Sequence, residues 1–170
     1  MFLGDSITEL APLTELFPEL TTSNRGIGWD TTQDLLARVD DALNSPAVVS
    51  VLIGTNDLHT SRQLRKPDGI VQRLETIVEH IQRAHPATPV LVNGLLPRTA
   101  LFAPRLQALN ARYRAVAERT GAHYVDVWPA LADANGAIRA GFATDNLHLT
   151  PAGYRAWGDV LRPLLRSAAS

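Results

Sequence analysis

The chain has 170 residues, 45% hydrophobic and 19% charged, a balance that fits one ordinary globular domain over residues 1–170. Its 16 basic and 17 acidic residues leave a formal net charge of -1, which excludes the strong field of a nucleic-acid binder or a polybasic membrane patch. With no cysteine it has no disulfide, no thiolate metal site and no Cys nucleophile.

In chain order, Met1-Phe2-Leu3 runs at once into Gly4-Asp5-Ser6. No charged leader or extended apolar stretch precedes it, so no signal peptide is visible and a cytoplasmic location is expected. Phe2-Leu3 reads as the stub of a first strand, since about five or six residues is usual, and a preceding segment or signal lost from the N-terminus would explain its shortness. A short second strand is expected near residues 20–23. Residues 31–43 place Leu35, Leu36, Val39, Ala42 and Leu43 on one helical face. An apolar strand follows at 48–53, then a helix over 69–84 carrying Ile70, Leu74, Ile77, Val78 and Ile81. A strand at 89–96, a helix at 104–119 with Leu106, Leu109, Tyr113 and Val116, and a strand at 123–127 continue the alternation. Pro151 opens a last helix carrying Tyr154, Trp157, Val160 and Leu161. Near-continuously apolar strands alternating with amphipathic helices predict a three-layer α/β domain with a parallel sheet covered on both faces. The apolar run at 47–53 is broken by Ser50 and Gly54, far short of the roughly 20 residues that span a bilayer.

In open parallel sheets ligands bind beyond the carboxyl ends of the strands. Gly4-Asp5-Ser6-Ile7-Thr8 follows the first strand, Asn24-Arg25-Gly26-Ile27-Gly28-Trp29-Asp30-Thr31 the second and Gly54-Thr55-Asn56-Asp57 the third, while Asp145-Asn146-Leu147-His148 precedes the last helix. A serine, a histidine and an aspartate on one rim, beside an Asn amide and glycine-rich backbone, are the parts acyl transfer needs. A hydroxyl attacks only when a base takes its proton, and the resulting oxyanion needs preorganised donors. An Asp three residues before a His can reach Nδ1 while Nε2 faces Ser6. Ser6, at the start of a helix, has free backbone N–H groups beside it. Each piece also has an ordinary reading: Asp5 or Ser6 as a helix cap, Asn56 as a turn residue, Asp145 and His148 as loop residues. Gly26 and Gly28 could permit positive φ in a loop, the reading preferred for Gly26. Their ordered co-occurrence at the ends of successive elements favours the chemical reading. Asp5 and Asp57 are assigned to hydrogen-bonding the backbone around their blocks. The nucleophile elbow Gly-x-Ser-x-Gly fails because position 8 is Thr, which disfavours the larger α/β-hydrolase fold.

These blocks resemble those of the SGNH, or GDSL, hydrolase family, in order and over essentially the whole chain. Gly94-Leu95-Leu96-Pro97-Arg98 is similar to the branch of platelet-activating-factor acetylhydrolase-like esterases. The resemblance implies a flavodoxin-like sandwich with a five-stranded parallel sheet. It implies Ser6 as nucleophile, His148 as base and then acid, and Asp145 as the residue orienting His148. The oxyanion would be held by the Ser6 N–H, a backbone N–H of the second block and the Asn56 amide. Where the family's second block usually has a small residue, most often Gly, this chain has Trp29, with Gly28 one earlier. Any residue can lend a backbone N–H, so Trp29 is the first candidate for that donor and Gly28 the alternative. The indole is expected to narrow the substrate groove or to pack against the first helix.

His59, His80, His85 and His123 show no metal-ligand spacing, and His80 and His85 fall on a solvated helix and its end. Arg98 could face the site and attract an anionic substrate group, but the surface reading is preferred because Arg is mostly exposed, and Trp128 and Trp157 are read as packing. The reading is a serine esterase acting on a small-molecule carboxylic ester, without cofactor, metal, nucleic acid or membrane span, with homo-oligomerisation left open. A short acyl group is expected because the fold uses nearly the whole chain, leaving only 58–68 and 99–103 to shape the site. The alternatives are an acyltransferase using the same triad and a noncatalytic ligand-binding module, against which the intact set Ser6, Asn56, Asp145 and His148 argues.

Overall fold

The computed structural model describes residues 1–59 and 67–168. Five strands, β1 (Phe2–Gly4), β2 (Asn24–Gly26), β3 (Val49–Leu52), β4 (Val90–Asn93) and β5 (His123–Val125), form one parallel sheet in the order β2-β1-β3-β4-β5. That is the flavodoxin-like strand order.

Alternation along the strands divides the core into two layers. Leu3 of β1, Val49 and Val51 of β3, and Val90 and Val92 of β4 face helices α3 (Thr32–Ala42), α4 (Pro67–Ala84) and α5 (Ala103–Thr120), meeting Leu35, Val39, Ile70, Leu74, Ile77, Leu106 and Tyr113. Phe2, Leu52 and Leu91 face the opposite way, toward α1 (Ser6–Glu9), α2 (Leu13–Leu16), α6 (Trp128–Leu131) and α7 (Pro151–Ala168). There they meet Ile7, Leu16, Phe17, Leu131, Tyr154, Trp157 and Leu161. Both faces are buried, as the near-continuous apolar runs predict. Trp157 is wholly inside, its Nε1 donating to Asn93 Oδ1 at 3.2 Å, while Trp128 packs partly buried against the other layer.

The helices begin and end where local chemistry directs. Thr31 caps α3 through a capping box with Asp34, whose carboxylate accepts the Thr31 N–H at 2.9 Å. α5 stops at Gly121, in the left-handed region with φ 70°. No helix among the described residues is long and apolar enough to cross a membrane.

Strand bounds differ from the sequence reading. The second strand lies at Asn24–Gly26, not at 20–23, because its register is set by β1: Phe2 pairs with Asn24, and the Phe2 N–H donates to Ser23 O at 2.8 Å. β4 ends at Asn93 rather than at 96, because the Leu95 N–H and C=O turn to the Asn110 side chain, at 2.7 and 2.9 Å. β5 closes at Val125, with the Asp126 carboxylate accepting the Trp128 N–H at 3.2 Å.

The chain passes from β1 outward to β2 and returns to β3 on the other side of β1. The carboxyl ends of β1 and β3 therefore flank the topological switch point, where such sheets open a crevice. The loop carrying Ser6 leaves β1 at that crevice, and the turn carrying Asn56 follows β3.

Candidate active site

Ser6 is the first residue of α1, reached directly from β1 through Asp5, whose carboxylate accepts the Ile7 N–H at 3.0 Å and so starts the helix. Ser6 Oγ lies 3.0 Å from His148 Nε2, and His148 Nδ1 lies 2.6 Å from Asp145 Oδ2. The loop bearing that pair is self-ordered. Asp145 Oδ1 accepts the backbone N–H of Leu147 and of His148, at 3.1 and 2.7 Å, and Asn146, which follows Asp145, is in the left-handed region at φ 60°. One carboxylate thus shapes the turn with one oxygen and orients the imidazole with the other. These bonds, led by the one to the imidazole, draw the Asp145 carboxyl down to about 2, so it is a carboxylate throughout the neutral range.

The second block approaches from β2. The Ile27 N–H donates to Gly4 O at 3.1 Å, and the Asp30 N–H to Ile27 O at 3.3 Å, closing a turn with Gly28 and Trp29 at its centre. Trp29 has φ 68°. Neither Gly26 nor Gly28 has positive φ, so the loop-conformation reading of Gly26 is corrected: a Cβ at Gly26 would strike the backbone N of Glu9, and the glycine serves close approach. A Cβ at Gly28 would lie 4.0 Å from the Ser6 Cβ and 2.9 Å from a Glu9 carboxylate oxygen, which puts this turn directly beside the serine. The Trp29 indole is 82% exposed, so it does not pack against α1 and can border the groove only from its rim. Asn56 is buried, and its Nδ2 donates one hydrogen to Asp30 O at 2.9 Å. The amide has a second hydrogen, and the bond to Asp30 holds Asn56 against the same turn.

Further residues hold these parts in place. Arg38 of α3 donates from Nε to Asp30 Oδ2 at 2.7 Å, and from Nη2 to Gly4 O at 3.2 Å and Arg25 O at 3.0 Å, pinning the turn to the ends of β1 and β2. Asp57 is buried and accepts the Thr32 N–H and hydroxyl, at 2.8 and 2.7 Å, with Arg73 at 3.1 Å. Tyr154 of α7 donates to Ile7 O at 2.7 Å, tying the helix that follows His148 to the helix that begins with Ser6. Sequence reasoning gave Asp5 and Asp57 their backbone-bonding roles but missed Arg38 and Tyr154, whose partners lie far away in the chain. Asp5 sits deep beneath the serine, where burial pushes its carboxyl up to about 7 against the downward pull of the Ile7 N–H.

Arg98 is corrected from a surface residue to a buried one, its guanidinium 4.5 Å over the Phe102 ring. Of the two segments expected to shape the site, 99–103 includes a short 3-10 turn at Ala100–Phe102 leading into α5, and most of 58–68 lies outside the described residues. His80 pairs with Asp40 at 3.3 Å on the helical layer.

The family model of the GDSL-like lipase/acylhydrolases matches residues 2–156. Platelet-activating factor acetylhydrolase IB subunit alpha1 of Bos taurus is 32% identical over 178 residues, covering 97% of this chain and 74% of its own. The alpha2 subunit of Mus musculus is 32% identical over 176 residues, covering 96% of this chain and 73% of its own. A solved structure from Streptococcus pneumonia, named for platelet activating factor, superposes with a TM-score of 0.88 at 31% identity, covering 96% of this chain and 82% of that one. A GDSL-like lipase from Bacteroides thetaiotaomicron, 24% identical, has the same fold at a TM-score of 0.86, covering 98% and 87%. The branch suggested by residues 94–98 is the one named by the two curated acetylhydrolase subunits. The chain belongs to the GDSL-like lipase/acylhydrolase family and is a carboxylic ester hydrolase.

Proposed function

We propose that the chain is a serine esterase that cleaves small carboxylic esters with short acyl groups through a Ser6–His148–Asp145 triad and an acyl-enzyme. The observation that carries this reading is the continuous contact from Ser6 Oγ to His148 Nε2 at 3.0 Å and from His148 Nδ1 to Asp145 Oδ2 at 2.6 Å. His148 Nε2 takes the hydroxyl proton as Oγ attacks the ester carbonyl. The oxyanion faces the Ser6 N–H, the second Asn56 amide hydrogen and a backbone N–H of the 27–30 turn, that of Trp29 with Gly28 as the alternative. Collapse breaks the bond to the alcohol oxygen, which leaves with the proton held by His148. Water, deprotonated by the same nitrogen, then attacks the acyl carbon and regenerates Ser6.

The short-acyl preference is supported by the shortness of the segment 99–103, a single 3-10 turn at Ala100–Phe102, and by the acetylhydrolase names of the curated relatives. Values of kcat/KM over para-nitrophenyl acetate through octanoate test it. Acetate is expected to be the best substrate, with activity falling as the acyl chain lengthens and absent in Ser6→Ala of unchanged Tm. A profile rising toward octanoate overturns the acyl preference, and full turnover by Ser6→Ala overturns the nucleophile. The same assay with added alcohols separates hydrolysis from acyl transfer, since a transferase would send most acyl-enzyme to the alcohol even in water.

A further inference from the structure

We infer that Arg98 forms a binding site for an anionic group, carboxylate or phosphate, carried by the ester substrate. The inference rests on the active-site reading above and adds a substrate class to it. Arg98 lies in the loop that leaves the carboxyl end of β4, on the same rim as the loops that follow β1 and β3. It is only 9% exposed, and its Nε and Nη1 are fully buried with no hydrogen-bond partner. A guanidinium keeps its charge at any working pH, and burying its N–H groups unpaired is costly. Other arginines here have carboxylates: Arg38 with Asp30, Arg73 with Asp57, Arg119 with Glu75 and Arg162 with Glu19. A buried cation left with open donors in a folded protein calls for a ligand that completes it.

The surroundings fix what that ligand meets. The guanidinium stacks over Phe102, 4.5 Å from the ring centre, and Phe102 packs against the core, so the plane of the cation is held. The backbone is held too, because Arg98 O accepts the Ile138 N–H at 2.7 Å. Two charged or titratable groups feel it. Burial lowers the pKa of Arg98 against the opposing pull of the Asp145 carboxylate, and burial, then Arg98, lowers that of His59, which closes the turn begun by Asn56. Arg98 is therefore within electrostatic range of His59, next to the Asn56 turn, and of Asp145. Asp145 is not the hydrogen-bond partner of the guanidinium: its oxygens bond the imidazole and two backbone N–H groups, while Arg98 Nε and Nη1 have no partner. A planar guanidinium fork held at the edge of a catalytic cleft matches the paired oxygens of a carboxylate or phosphate.

The test compares kcat/KM for 4-acetoxybenzoate, 4-acetoxyphenyl phosphate and neutral methyl 4-acetoxybenzoate in the full-length protein, Arg98→Gln and Arg98→Lys. In the parent protein at least one anionic ester is expected to exceed the neutral one, and the two anions show which the fork prefers. The anionic-to-neutral ratio should fall about 10- to 100-fold in Arg98→Gln, as for loss of a charged hydrogen bond, and less in Arg98→Lys. Arg98→Gln should keep or raise Tm, because it removes an unpaired buried charge. An unchanged ratio, or a lowered Tm with equal losses on all three esters, overturns the inference. A readout that needs no turnover is the Tm shift produced by 4-hydroxybenzoate and by phenyl phosphate, expected in the parent protein and absent in Arg98→Gln. If neither compound shifts the parent protein, the anion site is wrong even where the neutral ester is hydrolysed. A shift without hydrolysis of any ester instead leaves the anion site standing and sinks the esterase reading.

Discussion

Trp29 occupies the left-handed region, with φ 68°, as a bulky residue at a turn position that suits glycine. That conformation costs a side-chain-bearing residue about 1–2 kcal/mol, and an indole 82% exposed buries too little to offset it. Trp29→Gly is expected to raise unfolding stability by about 1 kcal/mol in urea with an unchanged m-value, and a loss of stability would show that the turn is unstrained. If the indole borders the groove, Trp29→Ala retains acetyl ester activity and shifts preference toward longer acyl chains. Parallel chain-length profiles would place it outside the groove. On the proposed mechanism Asn56→Ala is expected to lower kcat by ~10²- to 10³-fold, because an oxyanion donor acts only during reaction. A change confined to KM would make Asn56 a substrate binder. At this scale the sequence marked Ser6, Asn56, Asp145 and His148 as candidates, because each adjoins an element end, and the structure brings Ser6, His148 and Asp145 into contact. It could not show the backbone angle of Trp29 or the burial of Arg98, which depend on how the turn closes against β1 and where the Phe102 ring lies.

Among the elements, α1 matters most for the site although it spans only Ser6–Glu9, and it is held from below by Asp5 and from the side by Tyr154. Tyr154→Phe leaves the Ile7 carbonyl without its donor and is expected to cost about 1–3 kcal/mol of stability, with a fall in kcat from looser placement of Ser6. Unchanged stability would mean that water replaces the hydroxyl. Asp5 supplies a pH signature. Its carboxyl is raised to about 7 in the folded protein, so the native state holds a proton that the unfolded chain releases near its ordinary value of about 4. Its contribution to stability is therefore complete below pH ~4 and is lost as pH rises through about 7. Asp145 has the opposite sign: its contribution is present above pH ~4 and lost only as pH falls toward about 2. Asp5→Asn preserves a capping side chain and should flatten the decline in denaturation midpoint between pH 4 and 7. Identical slopes in the two proteins would contradict this. Helical periodicity marked the long helices within a few residues, since one apolar face per helix is a strong pattern. The three-residue strand β2 was misplaced because exposed Asn24 and Arg25 carry no hydrophobic signal, and only pairing with β1 makes them a strand.

Over the whole molecule, the strand order β2-β1-β3-β4-β5 puts the switch point between β1 and β3 and so gathers residues from opposite ends of the chain. Ser6 and His148 meet across 142 positions. Alternating apolar strands and amphipathic helices were enough to read the layers, and the ordered blocks were enough to read the rim. The contacts that lock the rim together were not legible, because Arg38 and Tyr154 act through side-chain reach between layers, which no spacing along the chain encodes. The central claim is that this fold exists to activate one hydroxyl, that of Ser6. The direct measurement is peptide-level mass spectrometry after exposure of the folded protein to a fluorophosphonate. One phosphonyl adduct per chain on Ser6 is expected, absent in Ser6→Ala and strongly slowed in His148→Ala. An adduct on another residue, or no adduct on a preparation that hydrolyses esters, would contradict the account.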